Sequence, residues 1–387
     1  MKKFVVFILA AAVALGVSGC PDKKRKPATE PKVFLMVEKN QTEEKQLIKT
    51  AEAKAKEKKM VLAVKALNDD EKREEKVLAM LSSKKPQGII LETAGSPKAG
   101  ILGQKLYRES KIIYLKDLPY DAVGDGAVIP DYKKEAELLV KNLALWDKTG
   151  KILLLTTNRN KLSVKLLEEY LTTELRAAGK EVSFGEILIK DKKKALEEAK
   201  KLIPGQSVIA LEGRSGELLA ELGMKKEQGV VFAAMEISSK IANAIFEDKI
   251  FAAIEPLMDV MAGKALEEME GVLKNRGFKG EAKLTVKNGE IPVIYTPVRI
   301  ITRQNIGEME KVYGKFKKKN PEQSGTEQNT KKSQSKTTRV KITTSQGKTI
   351  ELMVEGEITK IETGALEEKG GTQENNKPQQ NQTTKGQ

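Results

Sequence analysis

The sequence predicts an α/β protein of two doubly wound lobes, each a largely parallel sheet with helices on its faces. Three observations predict it. Short apolar runs alternate with longer amphipathic segments for about 270 residues from Val33 onward, the pattern of repeated βαβ units. A Gly/Asp/Pro-rich break, Asp117 to Asp131, divides this rhythm into two similar series. The 387 residues suffice for two domains and a sizeable core.

Ahead of the first strand, Lys2 and Lys3 precede an apolar run from Phe4 to Val17 that is short for a bilayer span, so residues 1–19 read as a signal peptide. Val17-Ser18-Gly19-Cys20 resembles the lipobox of bacterial lipoproteins, which implies that Cys20 is acylated and becomes the mature N-terminus. Two chains on one anchor hold stably where one is marginal, each buried methylene contributing about 0.8 kcal/mol. Cys20 is the only cysteine, so no disulfide or thiolate site remains once it carries lipid. Residues 20–32, with three prolines and five basic residues in PDKKRKPATEPK, read as a tether.

The first lobe is expected to take strands at 33–37, 61–64, 88–91 and 112–115, with Leu47, Ile48, Ala51 and Ala55 lining one face of the helix after the first. The second series places strands at 151–156, 186–189, 208–211 and 230–234, and helices at 133–146, 161–178, 192–202, 215–222 and 237–247. A strand at 250–256 and a helix from Leu257 to Asn275 follow, where the spacing of Met258, Met261 and Met269 reads as core filling. The stretch 283–302 then returns to elements already built. The expected division is 33–127 plus 257–294 for the first lobe and 128–256 plus 295–307 for the second. Polar low complexity at 308–338 and 363–387 reads as disordered linker and tail. Between them, 339–362 alternates with period two about Gln346-Gly347, a β-hairpin.

The net charge is +15 and histidine is absent. The missing histidine removes Ser-His-Asp and Cys-His nucleophiles and the common zinc and iron sites. There is no GxxxxGK[ST] loop and no HExxH, and Gly124-Asp125-Gly126 lacks the third glycine of a dinucleotide fingerprint. The chain therefore reads as a non-enzyme with no cofactor and no metal. The lysine surplus suits an anionic surface or solvated helix faces in a heat-adapted protein. Nucleic acid is an unsuitable partner for an exported chain.

Open parallel sheets bind at the carboxyl ends of their strands. Those ends carry Glu38-Lys39-Asn40, Glu92-Thr93, Lys116-Asp117, Thr157-Asn158-Arg159, Glu212-Gly213-Arg214, Met235-Glu236 and Glu255-Pro256. Six carboxylates, Glu38, Glu92, Asp117, Glu212, Glu236 and Glu255, suit a polyol or a cationic ligand, and each equally suits a helix N-cap.

The element order over 33–306 resembles the periplasmic sugar-binding proteins of the ribose- and galactose-binding type, solute receptors of ABC transporters. NAIFEDKIFAAIEP (243–256), MAGKALEEM and the closing YTPVRIITRQNI (295–306) carry the resemblance, with a partial match at GKILLLTTNRN (150–160). It implies a three-crossover hinge, a monomer, and ligand capture between the lobes. The expected ligand set is Asn40, Glu92, Asp117, Asn158, Arg159, Lys165, Glu212, Glu236 and Glu255, all but Lys165 at the strand ends above, with Lys165 standing where the family has an arginine. The family's stacking aromatic after the first strand is replaced by Lys39-Asn40-Gln41-Thr42, and Asp117 is followed by Leu118 rather than Arg.

The resulting expectation is a lipid-anchored extracytoplasmic receptor that takes a small polar solute (sugar, polyol, nucleoside or cation) and delivers it to an ABC permease. The alternative is a tethered sensor or scaffold lipoprotein that keeps the fold without high-affinity sugar binding.

Overall fold

The computed structural model describes residues 30–38, 42–144, 146–189, 191–223, 229–316, 337–343 and 349–355. The expected signal peptide, Cys20, the tether up to residue 29, Asn40, most of the linker and all of the tail lie outside them, and Lys32, expected to end the tether, opens the first strand.

The first sheet has seven strands in the order β11-β12-β5-β4-β3-β1-β2. In chain order these are β1 (Lys32–Val37), β2 (Val61–Ala66), β3 (Gly88–Leu91), β4 (Lys111–Leu115), β5 (Gly126–Pro130), β11 (Ala282–Val286) and β12 (Gly289–Thr296). All neighbours are parallel except the β11–β12 hairpin. The interior strands read as continuous apolar runs because both faces are covered. On one face, Val33, Leu35 and Val37 pack with Leu47 and Ala51 of α1 (Thr42–Glu57) and with Met261, Ala265 and Met269 of α9 (Met258–Leu273). On the other, Phe34 and Met36 meet Leu78 and Leu81 of α2 (Glu71–Lys84) and Leu106 of α3 (Ala99–Tyr107). Met261 and Met269 are fully buried, as the helical spacing predicts.

The second sheet has six strands, β13-β10-β9-β8-β6-β7: β6 (Lys151–Thr156), β7 (Glu181–Glu186), β8 (Ser207–Ala210), β9 (Phe232–Ala234), β10 (Ala252–Pro256) and β13 (Val298–Thr302). Its helices are α4 (Tyr132–Leu143), α5 (Leu162–Ala177), α6 (Lys192–Leu202), α7 (Gly213–Leu222) and α8 (Ser239–Phe246). The chain passes between lobes three times, after β5, after β10 and after β12. β5 and β12 both extend past the expected switch points at 128 and 295.

Three stretches differ from the sequence reading. Residues 308–313, expected to begin the disordered linker, continue the two-lobed body as a 3-10 turn (Ile306–Met309) and a helical turn (Glu310–Tyr313), with Val312, Tyr313 and Phe316 packed against the second core. GAVIP, expected inside the interlobe break, is β5, fully buried between β4 and β12. Its flanking Gly and Pro hide a central strand. The strand expected at 186–189 is displaced to β7, Glu181–Glu186, an edge strand paired only with β6. There Val182 and Phe184 are half-buried or exposed, so no continuous apolar run marks it.

A separate unit begins beyond Lys318. Within it, β14 (Thr337–Thr343) pairs antiparallel with β15 (Thr349–Glu355), Thr343 opposite Thr349, the register expected for a turn centred on Gln346.

Candidate functional site in the cleft between the lobes

The strand ends of both sheets converge where the chain crosses between lobes, and the convergence is ionic. Lys116 follows β4 with a left-handed backbone (φ 65°), which turns its side chain from the sheet into the cleft. Its ammonium lies 3.4 Å from Glu38, 3.1 Å from Glu92 and 3.2 Å from Glu236. Glu38 and Glu92 end strands of the first lobe, whereas Glu236 follows β9 of the second. Lys161, immediately before α5, donates to Glu38 across the cleft. Burial alone lowers the pKa of Lys116, but Glu236, Glu92, Glu38 and Glu44 more than offset this and raise it well above the ordinary lysine value. Lys161 is raised likewise: burial is outweighed by Glu38 and Glu236. Both lysines are therefore buried cations held by carboxylates.

The carboxylates are also shifted upward, but for them this favours the neutral form. Burial pushes Asp117 up to about 6 although Lys161 and Ser163 pull it down, raises Glu92 against the pull of Lys116, and raises Glu135 well above the usual range. Asp117 accepts from the backbone N–H groups of Leu118 (2.7 Å) and Ser163 (3.0 Å) and from the Ser163 hydroxyl. Glu212 caps α7 through Ser215 and accepts from the Thr156 and Thr157 hydroxyls at 2.9 and 2.7 Å. Asn158 reaches from the second lobe to Glu71 (3.2 Å) and to the carbonyls of Ala94 (3.3 Å) and Gly95 (3.2 Å). Arg214 of α7 donates to the Asp69 carbonyl.

Of the expected site residues, Glu92, Asp117, Asn158, Glu212 and Glu236 line this cleft. Arg159 turns outward instead, 3.2 Å from Glu168 and 3.7 Å from Glu186, held by acids of its own lobe. Lys165 is exposed, its ammonium 3.6 Å above the centre of the Tyr120 ring. Glu255 pairs with Arg299 beside the hinge. Sequence reasoning placed Lys116 at a strand end without assigning it to the site, and missed Lys161. The left-handed turn at Lys116 and the helix start at Lys161 leave no pattern that distinguishes an inward lysine from a solvated one.

Space remains in three forms, one of them a wide, open groove of about 930 Å³ lined by Lys45, Lys49, Lys54, Arg299 and Lys311 outside the deep cleft. Deep in the cleft are two voids of about 10 Å³, one beside Asp117, Tyr132 and Glu135 and one beside Glu38, Asn158 and Lys161, each about the room of one water. On the hinge side a chamber of about 240 Å³ reaches in to Lys116 and Glu236. Its walls bring Glu44 and Gln46 from the first lobe, Ser238, Glu255 and Arg299 from the second, and Tyr313 near the end of the two-lobed body. An aromatic does line the chamber, then, from a place other than the loop after the first strand. Among the described residues there is no acidic or sulfur cluster able to hold a metal ion, and no helix long and apolar enough to cross a membrane.

No family model matches the chain, and no curated protein is similar to it in sequence. Solved structures do match. The glucose-galactose binding protein GanP from Geobacillus stearothermophilus superposes with a TM-score of 0.58 at 16% identity, over 71% of this chain and 98% of that one. A carbohydrate transporter solute binding protein from Agrobacterium radiobacter, in complex with D-arabinose, gives 0.60 at 13% identity over 74% and 99%. A periplasmic ribose ABC transporter protein from Conexibacter woesei gives 0.56 at 15% over 73% and 95%. The chain has the fold of the periplasmic sugar-binding proteins, and at these identities the likeness is one of fold.

Proposed function

We propose that this protein is an extracytoplasmic solute receptor, anchored through lipid on Cys20, that holds a small polar ligand at the cleft and presents its closed form to an ABC permease. The observation that carries this reading is the 240 Å³ chamber whose hydrogen-bonding walls come from both lobes. It is just below the ~300 Å³ lower range of ligand pockets and suits a solute of monosaccharide size. Glu236, Glu255 and Ser238 supply acceptors for hydroxyl or ammonium groups, Lys116 and Arg299 supply donors, and Tyr313 supplies a ring edge or face. The chemistry is capture and release, with no bond made or broken. The matched sugar receptors support the same reading.

The test is a thermal-shift screen of the purified full-length protein against sugars, polyols, nucleosides and polyamines. A ligand at a hundred times its Kd adds about 2.7 kcal/mol. A selective shift that Glu236→Ala abolishes is expected; a folded protein silent to the whole panel would sink the receptor reading. A second reading, a tethered sensor or scaffold, is favoured by one feature: side chains of the chain itself fill the deep cleft, leaving voids of about 10 Å³. A silent screen supports it. Anchoring is tested separately: Cys20→Ser is expected to release the protein from the membrane fraction and to end its labelling by palmitate.

A further inference from the structure

Where a ligand would bridge the strand ends of a two-lobed receptor, this chain places two of its own ammonium groups. Lys161 comes from the second lobe and is buried to 5% side-chain exposure against Glu38 of the first, itself at 6%. Lys116 comes from the first lobe and reaches Glu236 of the second at 3.2 Å while holding Glu38 and Glu92 on its own side. The backbone follows them: Leu162 donates to the Leu118 carbonyl at 3.1 Å, and Asn158 enters the other lobe beside Gly95. Gly95 has φ +80°, and a Cβ there would stand 2.4 Å from the Asn158 amide nitrogen, so its bare backbone admits this contact. The contacts that cross between lobes, Lys161 to Glu38, Lys116 to Glu236, Leu162 to Leu118 and Asn158 to Gly95, require closed lobes.

We propose that Lys116 and Lys161 act as an internal ligand, their ammonium groups filling the cleft and holding the lobes closed when no solute is bound. Opening separates Lys161 from Glu38 and Lys116 from Glu236. Separating the buried Lys161 ammonium from Glu38 is costly, whereas Glu38 keeps Lys116 at 3.4 Å on its own side and Lys116 keeps Glu92 at 3.1 Å. A neutral monosaccharide in the deep cleft would have to evict an ammonium held by charge, and hydroxyl groups offer no such compensation. The deep cleft thus excludes neutral sugars, and solute is confined to the hinge-side chamber.

The experiment measures the interlobe distance by double electron-electron resonance in the full chain with no solute added. Spin labels are placed at Lys72→Cys on α2 and Lys193→Cys on α6, both exposed, in a Cys20→Ser background so that only the introduced thiols react. The expected result is a single narrow distance in the parent. Lys161→Ala is expected to shift it to a longer, broader distribution, and n-butylammonium, which replaces the missing ammonium and its stem, to restore the narrow one. If Lys161→Ala fails to fold, Glu38→Gln serves in its place and is expected to open the lobes without amine rescue. A parent that is already open, or variants that keep the parent distance, overturns the inference. The solute screen reads out independently, so a protein can close on its lysines and still fail, or pass, as a receptor.

Discussion

Glu74, fully buried on α2, shows what burial does to a single carboxyl outside the latch. It accepts the Thr93 hydroxyl at 2.7 Å and the Ser96 N–H at 2.9 Å, yet burial outweighs these bonds and pushes its pKa up to about 7. An unfolded glutamate titrates near 4.3. Between these values the native form holds the extra proton, so stability falls as pH rises through the window and levels off above about 7. Glu74→Gln, which keeps the shape and removes the ionisation, is expected to flatten this slope. At pH 8 it should gain on the order of 3 kcal/mol at most, read by urea unfolding across pH 5 to 8. Equal slopes in parent and variant would show that the cavity around Glu74 is better solvated than its geometry implies. The residue scale is also where the sequence is least legible. Glu92, Asp117, Glu212 and Glu236 were visible because acids at strand ends follow a known geometric rule. Lys116 was placed at a strand end without a role and Lys161 was not seen, since lysine is abundant here and its inward turn depends on packing that only the tertiary structure supplies. Arg159 shows the converse: it stands at a strand end and is drawn out of the cleft by Glu168 and Glu186.

Elements were legible where both faces of a strand are covered. β1, β3, β4, β6 and β8 are apolar runs, and their boundaries emerge within a residue or so. β5 escaped because its Gly126 and Pro130 are turn residues by type, whereas here Gly126 serves a close contact. A Cβ on Gly126 would lie 2.3 Å from the Phe278 ring, which is rigid and packs beneath the sheet. Gly126→Ala is therefore expected to destabilise the protein by about 1–3 kcal/mol, the usual range for overpacking. The paired variant Gly126→Ala/Phe278→Leu should recover part of the loss, since a smaller, more pliable side chain then faces the new methyl. Both are read by thermal unfolding, and an additive pair would mean the clash is relieved elsewhere. β7 escaped for a different reason: an edge strand needs only one partner, and exposure of Phe184 removes the alternation that marks half-buried strands.

The two-lobed architecture was legible as a rhythm, because each βαβ unit repeats the same burial problem and only a few topologies solve it. What the rhythm does not encode is the state of the hinge. Closure here is ionic, so its salt dependence separates a buried latch from a set of surface bridges. Exposed pairs such as Lys85–Glu109, at 62% and 51% side-chain exposure, contribute little and vanish under screening. The two pairs that cross between the lobes are less exposed: Lys161–Glu38 sits at 5% and 6%, and Lys116–Glu236 at 12% and 21%, so screening reaches them less. Raising sodium chloride from about 0.1 M to about 1 M shortens the Debye length from about 10 Å to about 3 Å. The interlobe distance is expected to stay at its closed value throughout. Lobes that open with salt would place the lysine–carboxylate contacts in water, and closure would then have to come from solute in the hinge-side chamber instead.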